Sequence, residues 1–305
     1  MGTRRKIDSF ADWESENEIL SVLGPTASGK TNLLLAFLER RSWKIRPLLI
    51  SLDSVAVYRY LDIGSAKPLG RDRENWEWAG IDIALPDEKL SAADFLNKIE
   101  AQYLGAIQSS RPIVFVGGSH FYERFLVEGP APGEASDPEF LKETEEGGLE
   151  KAYAKLCESD SRWSEKIHVN DSYRVLRYSD LVFRQGLNYQ ELFFSNNNES
   201  RSVTRSKTVS TLVLDYPDPI QKDEILKKRI EKMWEAGWVY EHKNVTRMGY
   251  ARDCPGLQCV GYKEISHYLD GNVTEMECLD LILTRHRQLA KSQRTWLRSL
   301  KEKLR

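Results

Sequence analysis

The sequence predicts an α/β fold: a parallel sheet covered by helices, broken by a helical insertion and followed by a helical C-terminal part. Three observations predict it. Short apolar runs alternate with helical patterns from Ile19 to Gly118. A glycine-containing turn joins the first of these runs to a helix. Beyond Gly129 the apolar runs almost disappear and helical periodicity takes over. Strands that alternate with helices imply parallel pairing, with helices on both faces of the sheet.

The elements follow in order. Ile19 to Leu23 is apolar and enters the turn; Leu33, Leu34, Ala36, Phe37 and Leu38 then make one apolar helical face. Pro47 to Leu52 is a second buried strand, ending at Asp53. Ile81 to Leu85 is predicted as a third, and Pro112 to Val116 as a fourth, ending in Gly117-Gly118. Between them, Ser91 to Ile107 reads as a helix, with Ser91 as its cap and Asp94 at its third position. Gly129-Pro130-Ala131-Pro132-Gly133 is a breaker cluster. Asp137 to Phe194 is helical and polar, and Ser195 to Lys207 reads as a mobile loop. Thr211 to Leu214 returns to a strand pattern, and Pro219 onward is helical. The expected domains are a core of residues 19–130 and 208–305 and an insertion of residues 134–200. No internal repeat of solenoid period is present.

Composition narrows the class. Of the 305 residues, 41% are hydrophobic, enough for a sizeable core. No stretch approaches the roughly 18 apolar residues that span a bilayer. Met1 to Glu18 is polar and lacks the apolar centre of a secretory signal. Asp8, Asp12, Glu14, Glu16 and Glu18 argue against a transit peptide. A cytoplasmic protein without membrane contact is expected, and a monomer. Cys157, Cys254, Cys259 and Cys278 show no zinc-ligand spacing, so free thiols are expected. The net charge of -2 argues against an indiscriminate nucleic-acid binder. Arg285 to Arg305 nevertheless carries eight Lys or Arg against one acid, Glu302. On charge alone, that run is either a partner surface or a solvated helix face.

Gly24-Pro25-Thr26-Ala27-Ser28-Gly29-Lys30-Thr31 matches G-x-x-x-x-G-K-[ST] between a strand and a helix. The glycines let the backbone curl around an anion, and the helix N-terminus adds partial positive charge. Lys30 supplies a full charge to phosphate oxygens, and Thr31 offers a hydroxyl to a bridging magnesium ion. The sheet is therefore expected to be P-loop NTPase-like, and the ligand to be a diphosphate or triphosphate. Asp53 falls at the strand end where α/β sheets place ligands. It could hold magnesium through water, act as a general base, or cap the following turn.

Further segments extend the pattern: Ser51-Leu52-Asp53-Ser54, Tyr58-Arg59, Asp62-Ile63-Gly64-Ser65-Ala66-Lys67-Pro68, Ser91 to Phe95, and Val116 to Ser119. Ile167-His168-Val169-Asn170-Asp171 with Arg174 and Arg177 follows, then Cys259-Val260-Gly261-Tyr262 and Arg287-Gln288-Leu289-Ala290-Lys291 with Gln293, Thr295 and Trp296. In this order, from about residue 19 to 300, the chain resembles the tRNA dimethylallyltransferases. The resemblance implies transfer of a dimethylallyl group from dimethylallyl diphosphate to the exocyclic amine of the adenosine at tRNA position 37. It implies Asp53 as the base, Lys30, Thr31 and magnesium on the diphosphate, and Ser119, in place of a family threonine, near the reacting groups. It also implies a clamp on the tRNA anticodon stem-loop, because the base must leave its stack. That clamp would be formed by Asp53, Ser54, Val55 and Ala56, by Tyr173, Arg174 and Arg177, by Gln258, Cys259, Gly261, Tyr262 and Lys263, and by Arg287, Gln288, Lys291, Gln293 and Arg294.

The chain departs from the family at Tyr173, Gln258, Lys263 and Ser292, which bears on RNA binding and not on the chemistry. Without the resemblance, Arg174 and Arg177 would read as an ion-pair stripe, and His168 as a structural residue. Three rival functions share the phosphate loop: prenylation of a free adenine nucleotide, a small-molecule kinase with Arg201 and Arg205 on a lid, and a nucleotide-controlled RNA-binding module.

Overall fold

The computed structural model describes residues 4–13, 18–129, 132–194, 204, 207–216, 218 and 220–304. The chain divides into two compact units, Met1–Val127 with Val203–Arg305, and Glu128–Ser202. The expected loop from Ser195 to Lys207, with Arg201 and Arg205, lies almost wholly outside the described residues, as do Pro130 and Ala131.

The first unit holds a six-stranded sheet of order β1-β6-β2-β5-β3-β4, every pair parallel. In chain order its first part is β1 (Arg4–Ile7), β2 (Ile19–Leu23), α1 (Lys30–Glu39), β3 (Leu48–Leu52), α2 (Arg71–Asn75), β4 (Glu77–Ala79), α3 (Ala92–Gln108), β5 (Ile113–Gly117) and α4 (His120–Glu128). β2, β3 and β5 are buried along their whole length. That is why they read as continuous apolar runs, since helices cover both faces of a parallel sheet. α3 starts where its cap predicts: the Ser91 side chain accepts the Asp94 N–H, and the Asp94 carboxylate accepts the Ser91 N–H.

Two strands differ from expectation. Ile81 to Leu85 is not a strand; the edge strand is β4, five residues upstream of that run's centre by sequence, and Ala84 makes only an isolated bridge to Tyr58. Asp82 has φ of 57°, which breaks extended geometry inside the apolar run. β1 comes from the polar N-terminal stretch. It pairs with β6, buries only Ile7, and ties its charges by Arg4–Glu123 and Arg5–Glu18 ion pairs. An edge strand anchored by charge leaves no apolar run to detect.

The second unit contains α5 (Pro138–Glu146), α6 (Leu149–Ser159), α7 (Trp163–Lys166), α8 (Ser172–Ser179), a π-helical turn (Asp180–Arg184) and α9 (Tyr189–Phe194). Its core gathers Leu156, Trp163, Ile167, Val175 and Leu181. Asp180 is fully buried there, taking Arg177, Arg184 and Gln185.

The first unit resumes with β6 (Val209–Val213), α10 (Lys222–Glu235), α11 (Trp238–Arg247), α12 (Tyr262–Leu269) and α13 (Glu275–Lys303). Trp238 and Tyr262 are fully buried at their junction. A Cβ on Gly64 would lie 2.1 Å from the Trp238 ring, and one on Gly261, at φ of 91°, only 2.0 Å from it. Both glycines exist to admit this ring. The Glu241 carboxylate accepts the N–H groups of Asp62 (2.7 Å), Ile63 (2.8 Å) and Gly64 (3.2 Å), and the Tyr262 hydroxyl (2.6 Å). Lys67 donates to the Tyr58 carbonyl (2.6 Å), Asp62 (2.8 Å) and Asp82 (2.7 Å). The Asp62–Lys67 segment is thus a scaffold that fixes one loop against α11 and α12.

His242 of α11 is buried, with Nε2 2.7 Å from Ser266 Oγ and Nδ1 without a partner among the described residues. Burial, reinforced by Arg252, lowers its pKa from 6.5 to about 4. The unfolded chain therefore takes up this proton first. The resulting stability is present above pH 6.5 and is lost as pH falls toward 4, by about 3 kcal/mol. Denaturant midpoints at pH 7 and 4.5 should show this loss, and His242→Gln, which keeps a partner for Ser266, should shrink it. An equal loss in the variant would place the acid sensitivity elsewhere.

Candidate active site

The strand register brings the predicted chemistry to one edge. Leu23 of β2 and Leu52 of β3 both pair with Gly117 of β5. The next residues along each strand are Gly24, Asp53 and Gly118-Ser119. Backbone bonds lock them there: Gly24 N–H donates to the Gly117 carbonyl (3.3 Å), Ser119 N–H to the Leu52 carbonyl (3.0 Å), and Leu214 N–H to the Leu23 carbonyl (2.7 Å). This is the carboxyl edge of a parallel sheet, where ligand sites form.

The loop from Gly24 to Thr31 opens α1, whose N-cap Gly29 is left-handed at φ of 76°. Ala27 is also left-handed, at 61°. Alternation of this kind turns successive N–H groups toward a common centre. The α13 helix clamps the loop from outside. Gln293 Oε1 accepts the Thr26 N–H (2.8 Å), and the Tyr216 hydroxyl donates to the Thr26 carbonyl (2.8 Å). A Cβ on Gly118 would lie 2.5 Å from Gln293 Nε2, so a side chain there would displace that amide. Gln293 was expected on the RNA; its amide is instead committed to the phosphate loop. Arg294 pairs with Asp215 (3.0 Å) and lies over the Tyr216 ring.

Charge converges on the same place. Lys30 Nζ donates to the Pro25 carbonyl (3.2 Å). Burial lowers its pKa to about 8, Asp53 opposes that shift, and Arg229 adds to it. Arg229, on α10, is lowered by burial and likewise feels Asp53. Its Nε is buried without a partner among the described residues, as is Ser28 Oγ. Two half-buried cations, with orphan donors on Arg229 and in the loop, have the chemistry that a polyanion would satisfy. The sequence reading missed Arg229, which belongs to no phosphate-loop pattern and lies 199 residues after Lys30.

Asp53 Oδ1 accepts the N–H groups of Val55 (2.8 Å) and Ala56 (3.2 Å), so the capping role is real. Oδ2 takes no hydrogen bond from the described residues, and the side chain is partly exposed. One oxygen is therefore held and the other is open. Ser119 is the residue before α4, and its Oγ accepts the Tyr122 N–H at 3.5 Å. Among the described residues no cluster of three His, Cys, Asp or Glu side chains could hold a metal. A magnesium ion carried by a diphosphate needs few protein ligands, and the Thr31 hydroxyl on the first turn of α1 fits that need.

The remaining predicted residues fall into separate groups. Ser54 is exposed beside Asp53. Gln258 is exposed, and its amide donates to the Arg252 carbonyl (3.0 Å). Burial pushes the Cys259 thiol up to about 12, so it stays protonated. Tyr262 corrects its expectation: it is 0% exposed, because its ring packs on Trp238 and its hydroxyl is held by Glu241, so it offers no surface to RNA. Gly261 has the packing reason given above. Lys263, Arg287, Gln288 and Lys291 are exposed, with Arg287 paired to Asp223 (3.2 Å). In the second unit Tyr173 is 74% exposed, and Arg174 pairs with Asp171 on one helical turn. Arg177 is drawn inward, to Ser136 Oγ (2.7 Å), the Glu134 carbonyl (2.9 Å) and Asp180 (3.2 Å). Its guanidinium braces the entry of that unit, because buried Asp180 needs cations.

Comparison with known proteins agrees with this architecture. The family model described as IPP transferase matches residues 56–300. A tRNA dimethylallyltransferase 2 of Geotalea daltonii is 31% identical over 290 residues, covering 93% of this chain and 85% of its own length. The solved full-length tRNA isopentenylpyrophosphate transferase of Bacillus halodurans is 28% identical, with TM-score 0.63, covering 92% of this chain and 87% of that one. A eukaryotic dimethylallyltransferase solved acting on tRNA has TM-score 0.74 and 22% identity, covering 92% of this chain and 69% of its own, and shares the fold. With a family match that starts three residues after Asp53 and runs into α13, and relatives aligned over nearly the whole length, the chain belongs to the IPP transferase family of prenyltransferases.

Proposed function

We propose that this protein transfers a dimethylallyl group from dimethylallyl diphosphate to the exocyclic amine of adenosine 37 in tRNA. The observation that carries the reading is the meeting of the phosphate loop, Lys30 and Arg229 with the open oxygen of Asp53 at one sheet edge. The amine is a poor nucleophile because its lone pair is delocalised into the ring. As it attacks the first carbon of the prenyl group, the carbon–oxygen bond to diphosphate breaks. Asp53 takes the amine proton through Oδ2, while the turn N–H groups on Oδ1 keep the carboxylate aimed. Charge building on the leaving oxygens is met by the loop amides, Lys30 and Arg229. Magnesium, held by Thr31, would neutralise more of it when bound.

The acceptor is assigned to RNA because exposed Tyr173, Arg174, Gln258, Lys263, Arg287 and Lys291 suit bases and phosphates. Arg294 and Gln293 support the phosphate loop in this reading, and Arg177 acts through the fold of its unit. Binding energy from contacts remote from the reaction supports extrusion of the adenosine and its alignment at Asp53. An anticodon stem-loop with adenosine at positions 36 and 37 should therefore far exceed AMP, ADP or adenosine in kcat/KM, at one donor and salt concentration. A mononucleotide that performs as well would remove tRNA as the acceptor and leave the prenyl-transfer core.

A further inference from the structure

Tyr60 is held where a tyrosine does not belong. Its φ is 68°, a left-handed conformation that glycine adopts freely and other L-residues adopt under strain. The backbone on either side leaves it no choice. Arg59 N–H donates to the Ala84 carbonyl (2.8 Å), Tyr58 bridges Ala84, Leu61 is fully buried, and Asp62 N–H is held by Glu241. Yet the residue is 42% exposed. It stands 6.3 Å from the ring of Tyr250, tilted by 38°, so the pair forms an open wedge. Tyr250 rests on the same core cluster as Tyr58 and Leu257. Beside them Arg59 is exposed, with Nε on the Asp82 carbonyl.

The wedge lies close to the candidate site along the chain, and electrostatic influence links Tyr250 to Cys254 and Cys259 to Asp53. Tyr60 ends the segment that begins with the Asp53 turn, and Tyr250 lies just before Cys254 and the Pro255–Gln258 turn. Resting on the reading that the acceptor is RNA, we propose that Tyr60 and Tyr250 form a stacking platform for an unpaired nucleobase of the RNA substrate, with Arg59 on its phosphate. Single-stranded bases bind aromatic faces in this way, with a cation following the backbone. The strained backbone is then the cost of presenting a ring to a base instead of burying it.

The test uses the full chain as wild type, Tyr60→Gly and Tyr60→Phe. Glycine relieves the strain, so Tyr60→Gly should keep or raise Tm by a few degrees. The same variant should raise KM for the anticodon stem-loop by roughly tenfold or more, with KM for dimethylallyl diphosphate unchanged. Tyr60→Phe keeps a π-face and should restore acceptor KM. A tyrosine with only a structural role would give the opposite pair of results, lower Tm and unchanged acceptor KM, and that outcome overturns the proposal. A stem-loop carrying 2-aminopurine next to the reacting adenosine separates this failure from failure of the functional reading. Quenching by wild type that weakens in Tyr60→Gly supports the platform even if prenyl transfer is absent. Equal quenching in both proteins, or none in either, rejects it.

Discussion

Asp53→Asn is expected to lower prenyl transfer by ~10²–10⁴-fold while leaving donor and RNA affinity within a few-fold. The asymmetry of the two carboxylate oxygens makes this separation possible. Asparagine keeps an acceptor for the Val55 and Ala56 N–H groups, so the turn and the strand end should persist. What it removes is the basic oxygen that receives the proton. The electrostatics sharpen the expectation. Asp53 is the anion that Lys30 and Arg229 feel, so its neutralisation strips negative charge from beside the diphosphate site. Donor affinity should hold or rise. Rapid-quench transfer assays paired with calorimetric titration of dimethylallyl diphosphate and magnesium would resolve the two quantities. A donor affinity that collapses together with turnover would mean that Asp53 holds the metal, and the base would have to be sought elsewhere.

The second large effect concerns the donor. Lys30→Ala and Arg229→Met should each weaken donor binding by roughly 10–150-fold, the range for a hydrogen bond to a charged group. For Lys30 the loop motif already says so. For Arg229 the case rests on tertiary structure: a buried Nε with no partner among the described residues, within electrostatic reach of a second cation, is unfavourable unless an anion completes the site. Arg229→Met should accordingly leave thermal stability without ligand unchanged or higher, while the stabilisation of the protein by added donor shrinks. Donor affinity at the wild-type level in Arg229→Met would exclude this arginine from the diphosphate site. Loss of stability without ligand would make it a packing residue instead.

The two variants mark different degrees of legibility. The phosphate loop is local: its glycines, lysine and threonine are contiguous, and the strand and helix around it carry their own periodicity. Asp53 is nearly as local, because it ends an apolar run. The fully buried strands β2, β3 and β5 were readable for the same reason, as was the capped start of α3. β1 was not, because an edge strand fixed by Arg4–Glu123 carries no apolar pattern. The strand expected at Ile81 was displaced, because apolar content there serves a turn with Asp82 left-handed and the paired residues are Glu77 to Ala79.

By itself the sequence determined the α/β class, the phosphate loop, the carboxylate at the neighbouring strand end and the family, since each is written in adjacent residues. Tertiary structure decided which motif residues stand exposed and which are committed to packing and hydrogen bonds. It placed Tyr262 and Gly261 around Trp238, committed Gln293 to the phosphate loop, turned Arg177 toward buried Asp180, and brought Arg229 within electrostatic reach of Lys30. The physical reason is that burial and charge pairing depend on which elements meet, and a side chain's partners come from helices far along the chain. Spacing reports the period of one element; it holds no record of the neighbour that will satisfy a buried amide or leave a guanidinium waiting for an anion.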